Sequence, residues 1–226
     1  PVADFSKRLA YYLQGSEGIA FRLGKSLKTE SIVLGVWKEH LDNIHRNGSQ
    51  SIPLEAPCPL LHQLRLIKEP YELERLREAA RISAEAHEIA RNIANPGMTE
   101  RQIQAEIEKH FLIQGARGPA YPSIVASGNN ACILHYIENS SELSDGDLLL
   151  IDAGCSLVDY YNGDITRTFP VNGVFSAEQL AIYQIVLSAQ NEAINVAIEG
   201  NTAEEVHLTA LKILIEGLID IKLLRG

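Results

Sequence analysis

Residues 148–172 read LLLIDAGCSLVDYYNGDITRTFPVN, and the way this stretch turns decides the fold. The four apolar residues 148–151 predict a strand buried on both faces, and that strand ends at Asp152. Gly154 then releases the chain, Tyr160-Tyr161-Asn162-Gly163 turns it back, and Asp164 opens a second strand. In the return strand Ile165, Arg167 and Phe169 alternate with Thr166 and Thr168, the period of two of an extended chain. Such a hairpin sets Asp152 face to face with Asp164, twelve positions away. Close carboxylates repel one another unless a proton or a cation lies between them. A divalent metal, or two metals sharing a carboxylate, is the natural occupant. Asp beside Gly is also ordinary turn material. One Asp ending an apolar strand and a second beginning the return strand weigh toward ligation.

The segment IDAGCSLVDYYNGDITRTFPVNG and the upstream segment YPSIVASGNNACILHYIEN resemble the Xaa-Pro aminopeptidases (aminopeptidase P) of the pita-bread metallopeptidases. The similarity runs from about Leu64 to the C-terminus. The resemblance implies an α+β fold: the N-terminal half of a pita-bread (creatinase/methionine aminopeptidase-like) domain over 63–226. Residues 1–62 would then be the tail of a smaller N-terminal α/β domain plus a linker. It also implies a catalytic, substrate-binding role for His135 and metal ligation by Asp152 and Asp164. The family's dinuclear site takes two Asp, one His and two Glu, so three ligands are expected beyond Gly226 and this stretch alone is expected to be inactive. Carboxylate-rich ligation suits two Mn²⁺ ions, with Co²⁺ or Zn²⁺ as alternatives. Peptide substrates with proline in second position, a homo-oligomer and a cytoplasmic location complete the expectation.

Three other readings compete. A prolidase would act on dipeptides only, and a creatinase-like amidinohydrolase would use the same fold without metal. A pita-bread module that has lost its metals would only bind peptide or protein. Asp152 and Asp164 argue against the metal-free forms, and ITRTFPVNG leans toward aminopeptidase P.

Composition is consistent with this. Hydrophobic residues make up 46% of 226, enough for a sizeable core and against disorder. The net charge of −9 argues against a nucleic-acid partner. No run is long enough for a membrane span, and no signal peptide is visible. Cys58, Cys132 and Cys155 are odd in number and widely spaced, which indicates neither a disulfide framework nor a zinc knuckle. Cys155 adjoins the candidate site but reads as a small buried hydrophobe.

Before residue 60 the spacing predicts a helix over 4–14 and strands over 19–23 and 33–37. A connection through Asn47, Gly48 and three prolines (Pro53, Pro57, Pro59) follows. His40, His45 and His62 have no acidic cluster near them and read as surface or connector residues. A helix is expected over 72–94, with His87 as a packing residue, then a break at Asn95-Pro96-Gly97. Capping boxes at Thr99-Gln102, Ser176-Gln179 and Thr202-Glu205 predict three more helices. The last two are expected to turn Leu180, Tyr183, Leu208 and Leu211 inward. Between the first of these helices and the second lie short strands over 123–126 and 131–136, the latter carrying His135. His207 and Glu216 fall inside the last helix and do not replace the missing ligands. The order helix, helix, strands, helix, helix argues for helices on one face of an antiparallel sheet.

Overall fold

The computed structural model describes residues 4–47 and 50–225. The chain divides into two compact units, Pro1–Tyr71 and Glu72–Gly226.

The first unit carries α1 (Phe5–Leu13), β1 (Ile19–Ala20), α2 (Leu27–Asn47), β2 (Leu54–Glu55) and α3 (Cys58–Leu66). β1 and β2 pair in parallel, with Ile19 opposite Leu54. Leu13, Val36 and Ile52 form its small core, and the Trp37 indole donates to the Ile52 carbonyl at 2.7 Å. Residues 33–37 are therefore helical and not a strand. Val33 and Val36 are buried at helical spacing, and Gly35 faces open space, where a glycine weakens a helix without breaking it. The Glu30 carboxylate starts α2 by accepting from the amides of Gly24, Lys25 and Ser26 at 2.8, 2.9 and 3.0 Å. Pro53 and Pro57 lead into α3, which contains Pro59 in its first turn, so the expected connection continues as a helix. His40 faces the Gln50 carbonyl at 3.1 Å and His62 is exposed on α3, while the His45 side chain and residues 48 and 49 lie outside the described residues.

The second unit is built on a three-stranded antiparallel sheet in the order β4 (Ile124–Ser127), β5 (Leu148–Ala153), β7 (Ile165–Pro170). A two-stranded pair, β3 (Gly118–Pro119) with β6 (Cys155–Ser156), flanks it. Helices α4 (Pro70–Ile93) and α5 (Glu100–Ile113) cover one face. Ala79, Ile82, Ala86 and Ala90 of α4 and Ile103, Ile107 and Phe111 of α5 meet Val125, Leu149, Ile151 and Ala153 in a single core. Along β5 burial alternates: Leu149 and Ile151 are fully buried, whereas Leu148 and Leu150 are half-buried. The strand is thus not buried equally on both faces, because helices cover only one of them.

All three capping boxes form, with both the side-chain and the reciprocal bond present at Thr99, Ser176 and Thr202. Helices α6 (Ala177–Val196) and α7 (Ala203–Asp220) pack on each other so closely that a Cβ on Gly217 would lie 2.6 Å from Ile185 Cγ2. Their outer apolar residues are not turned inward: Leu180, Leu187, Leu208 and Leu211 are exposed. His87 packs inside α4, with Nδ1 2.8 Å from the Ser83 carbonyl. No helix of the described residues is long and apolar enough to cross a membrane.

Candidate functional site

The β5–β7 register places Asp152 opposite Thr166. Asp164 lies two residues before Thr166, on the same face by strand alternation, so the two carboxylates are diagonal neighbours across the hairpin. That face is the one turned away from α4 and α5. Two glycines set its throat. A Cβ on Gly154 would lie 1.8 Å from the Gly163 carbonyl oxygen, and a Cβ on Gly163 would lie 2.2 Å from Ser83 Oγ. The return strand therefore runs backbone against backbone with its partner and rests on the small residues of α4. Cys155 is sealed into this junction, where its amide donates to Ser83 Oγ at 3.0 Å. Burial pushes the thiol up, which favours the buried-hydrophobe reading over a nucleophile.

Asp152 and Asp164 meet at one atom. The Tyr121 hydroxyl lies 2.6 Å from Asp152 Oδ1 and 2.8 Å from Asp164 Oδ1. A phenol has a single proton and can donate to only one of them, so the other carboxylate oxygen faces an electron-rich oxygen. Two acceptor groups converging on a point short of protons fit a cation, and a set made only of oxygen donors suits a hard divalent ion. Burial, followed by the hydrogen bonds and charges of the two aspartates, pushes the Tyr121 phenol well above its ordinary value, so it remains a donor. Tyr121 was not among the residues singled out from sequence. An aromatic between Ala120 and Pro122 has no local pattern that reveals its partner.

His135 shares the site, but not from a strand. Residues 128–132 form a 3-10 turn, Gly128–Cys132, and His135 follows in a turn with φ 56°. A left-handed conformation in a histidine is uncommon and costs about 1 kcal/mol or more, and such strain gathers where a side chain must be aimed. His135, Asp152, Asp164, Tyr121, Pro122, Ile124 and Ile137 line one open cleft of about 420 Å³. The structure thus brings together all three residues singled out from sequence and adds Tyr121. Among the described residues no cluster of three or more His, Cys, Asp or Glu is spaced for a metal. His207 and Glu216 lie exposed on α7.

Tyr121→Phe tests the convergence. For carboxylates that hold a divalent ion, losing an outer hydrogen bond is expected to weaken ion binding roughly 10- to 100-fold, read by calorimetric titration with Mn²⁺ as the probe on the natural-length protein. Tighter binding would mean that the hydroxyl competes with the ion.

Metallopeptidase family M24 matches residues 74–223 of the chain. The Xaa-Pro aminopeptidase of Haemophilus influenzae is 46% identical over 168 residues, which is 74% of this chain and 39% of that protein. The Escherichia coli Xaa-Pro aminopeptidase is 38% identical over 228 residues, 99% of this chain and 51% of the relative. Among solved structures, the Pseudomonas aeruginosa aminopeptidase PepP superposes with a TM-score of 0.91 at 40% identity, over all of this chain and 51% of that one. A variant of Escherichia coli aminopeptidase P in complex with substrate gives 0.89 at 38% identity, and the same enzyme has been solved with zinc substituted. The chain spans about half the length of these relatives.

Proposed function

Because this chain belongs to metallopeptidase family M24, we propose that it supplies two metal-binding carboxylates, Asp152 and Asp164, and the substrate-site His135 of an Xaa-Pro aminopeptidase. The observation that carries the reading is the convergence of both carboxylates on Tyr121 within the cleft that His135 lines. A divalent ion held there, Mn²⁺ in this reading with Co²⁺ or Zn²⁺ as alternatives, supplies Lewis acidity and lowers the pKa of water. In the same reading 63–226 is the first half of a pita-bread domain and 1–62 the end of a smaller domain with its linker. The half-length coverage of the relatives supports the first-half reading. A division of the chain is supported by its two compact units, which divide between Tyr71 and Glu72, and by the family match over 74–223. A cytoplasmic homo-oligomer belongs to the same proposal.

The chain's own residues have defined tasks. Asp152 and Asp164 bind and neutralise positive charge at the cleft floor. Tyr121 donates to one carboxylate and fixes the angle of the pair. The His135 ring N–H donates to the carbonyl oxygen of the scissile bond as negative charge develops on it. Pro122, Ile124 and Ile137 present an apolar wall that excludes water around the substrate's ring. Proline has no N–H and restrains the residue before it. An X-Pro bond therefore needs a pocket that recognises a ring rather than an extended strand. The names of the relatives support this choice of substrate.

The test uses the protein expressed at its natural length with Mn²⁺ and X-Pro peptides. Release of the N-terminal residue, stopped by a chelator, is the expected result. His135→Ala is expected to lower kcat by roughly 10²- to 10³-fold, the scale of losing one donor to a developing oxyanion, with metal content unchanged. Unaltered turnover would remove His135 from the mechanism. Cleavage confined to dipeptides would favour the prolidase-type reading, and binding without cleavage the peptide-binding module.

A further inference from the structure

The segment that carries His135, residues 128–141, is fastened to the N-terminus of α5 by one fully buried carboxylate. Glu100 Oε1 accepts from the Ser127 amide at 2.8 Å, Ser127 Oγ at 2.9 Å and Asn130 Nδ2 at 3.0 Å. Its Oε2 accepts from the Tyr136 hydroxyl at 2.8 Å and the Ser141 amide at 3.0 Å. The Glu100 amide closes the loop by donating to the Ser141 carbonyl at 2.9 Å. One residue thus holds the start of the segment, its end, and the neighbour of His135. Two more contacts come from the same helix. Arg101 donates to the Glu138 carbonyl at 2.6 Å, and Gln104 Oε1 accepts from Asn139 Nδ2 at 2.9 Å.

A carboxylate suits this position because all five groups around it are donors. A carboxylate accepts only, whereas an amide would press its own N–H against theirs. The charge has no cation among these partners, but it sits at the first position of α5, where the helix dipole favours an anion. Burial alone would push this carboxyl up. Hydrogen bonds from Asn130, Ser127, Ser141 and Tyr136 more than offset that and hold it below the ordinary glutamate value. Charge-assisted bonds of this kind are about twice as strong as neutral ones. They offset the left-handed backbone at His135 and at Asn139, whose φ is 48°.

We propose that Glu100 is the positioning residue of the substrate-site segment, clamping residues 127–141 so that His135 is held over Asp152 and Asp164. The catalytic consequence rests on the role given to His135 under Proposed function, while the clamp itself does not. Two readouts in the natural-length protein keep them apart. In Glu100→Gln, amide hydrogen exchange over 128–141 is expected to rise about tenfold or more while the amides of β5 keep their protection. Turnover on an X-Pro peptide is expected to fall roughly 10- to 100-fold in kcat, the cost of a misplaced catalytic group, with metal content unchanged. In the double variant Glu100→Gln/His135→Ala, kcat should equal that of His135→Ala alone, because a displaced histidine cannot be lost twice. Should Glu100→Gln fail to fold, Tyr136→Phe removes the hydroxyl that donates to Glu100 beside His135 and accepts from Asn130 Nδ2 at 3.1 Å, and it is read the same way with smaller changes. Unchanged exchange over 128–141 overturns the clamp. Raised exchange with additive kcat losses overturns the positioning role. A wild-type protein that cleaves no X-Pro peptide overturns the site reading, and the exchange result then decides the clamp alone.

Discussion

In the natural-length protein, with the metal-ligand role proposed for Asp152, Asp152→Asn is expected to reduce X-Pro hydrolysis by more than about 100-fold, because even the loss of a partner behind a metal ligand reaches that scale. The substitution keeps the shape of the side chain and one oxygen for the Tyr121 hydroxyl, 2.6 Å away in the native site. It removes the charge that a hard divalent ion needs. Fold stability in the absence of metal should not fall, since one of two converging carboxylates is neutralised and their repulsion disappears. The measurements are metal content by elemental analysis, kcat/KM on an X-Pro peptide, and the thermal midpoint in chelator. Chelated wild-type protein should match the variant, and added Mn²⁺ should restore the wild type only. Asp164→Asn should behave alike, because both oxygens meet at the same phenol. A variant that keeps its metal and its turnover would sink the ligand assignment.

Much of this site was legible in the residues. The change from an apolar run to strict alternation located β5 and β7, and the capping boxes located α5, α6 and α7, because both signals are local. The path of residues 131–136 was not. Ala-Cys-Ile-Leu-His-Tyr has the composition of a strand, yet Gly128 stands at φ 51° and the stretch ends on the buried Tyr136. The partner that holds it is Glu100, thirty-six positions back along the chain from Tyr136. A hydrogen bond of that separation leaves no periodic mark. Tyr121 leaves no local mark for the same reason, as its partners lie 31 and 43 residues away. In α2, the short apolar run 33–37 has the composition of a strand, but Val33 and Val36 are buried at helical spacing within a longer helix. The inward faces expected for α6 and α7 had the right spacing. Spacing tells which residues share a stripe, and only packing tells whether anything covers it.

The hairpin throat leads to the second large effect. Gly154→Ala is expected to destabilise the protein by about 3 kcal/mol or more, the upper end for overpacking. The new Cβ would sit 1.8 Å from the Gly163 oxygen, 2.3 Å from the Gly163 carbonyl carbon and 2.8 Å from the Asp164 amide nitrogen. All three are backbone atoms, so no side chain can rotate away. The return strand cannot retreat either, because Gly163 already lies against Ser83 and Ala79 of α4. Relief must come from opening the hairpin between Gly154 and Gly163, which also parts Asp152 from Asp164. Stability and Mn²⁺ affinity should therefore fall together, read by the urea midpoint and by titration. Gly35→Ala supplies the contrast. It places a methyl in open space inside a helix and should stabilise by about 0.5–1 kcal/mol, with metal binding untouched. If Gly154→Ala kept the wild-type midpoint, the two strands would not approach as closely as the shared aspartate site requires. If it lost stability but kept full Mn²⁺ affinity, the carboxylates would be held by something other than this crossing.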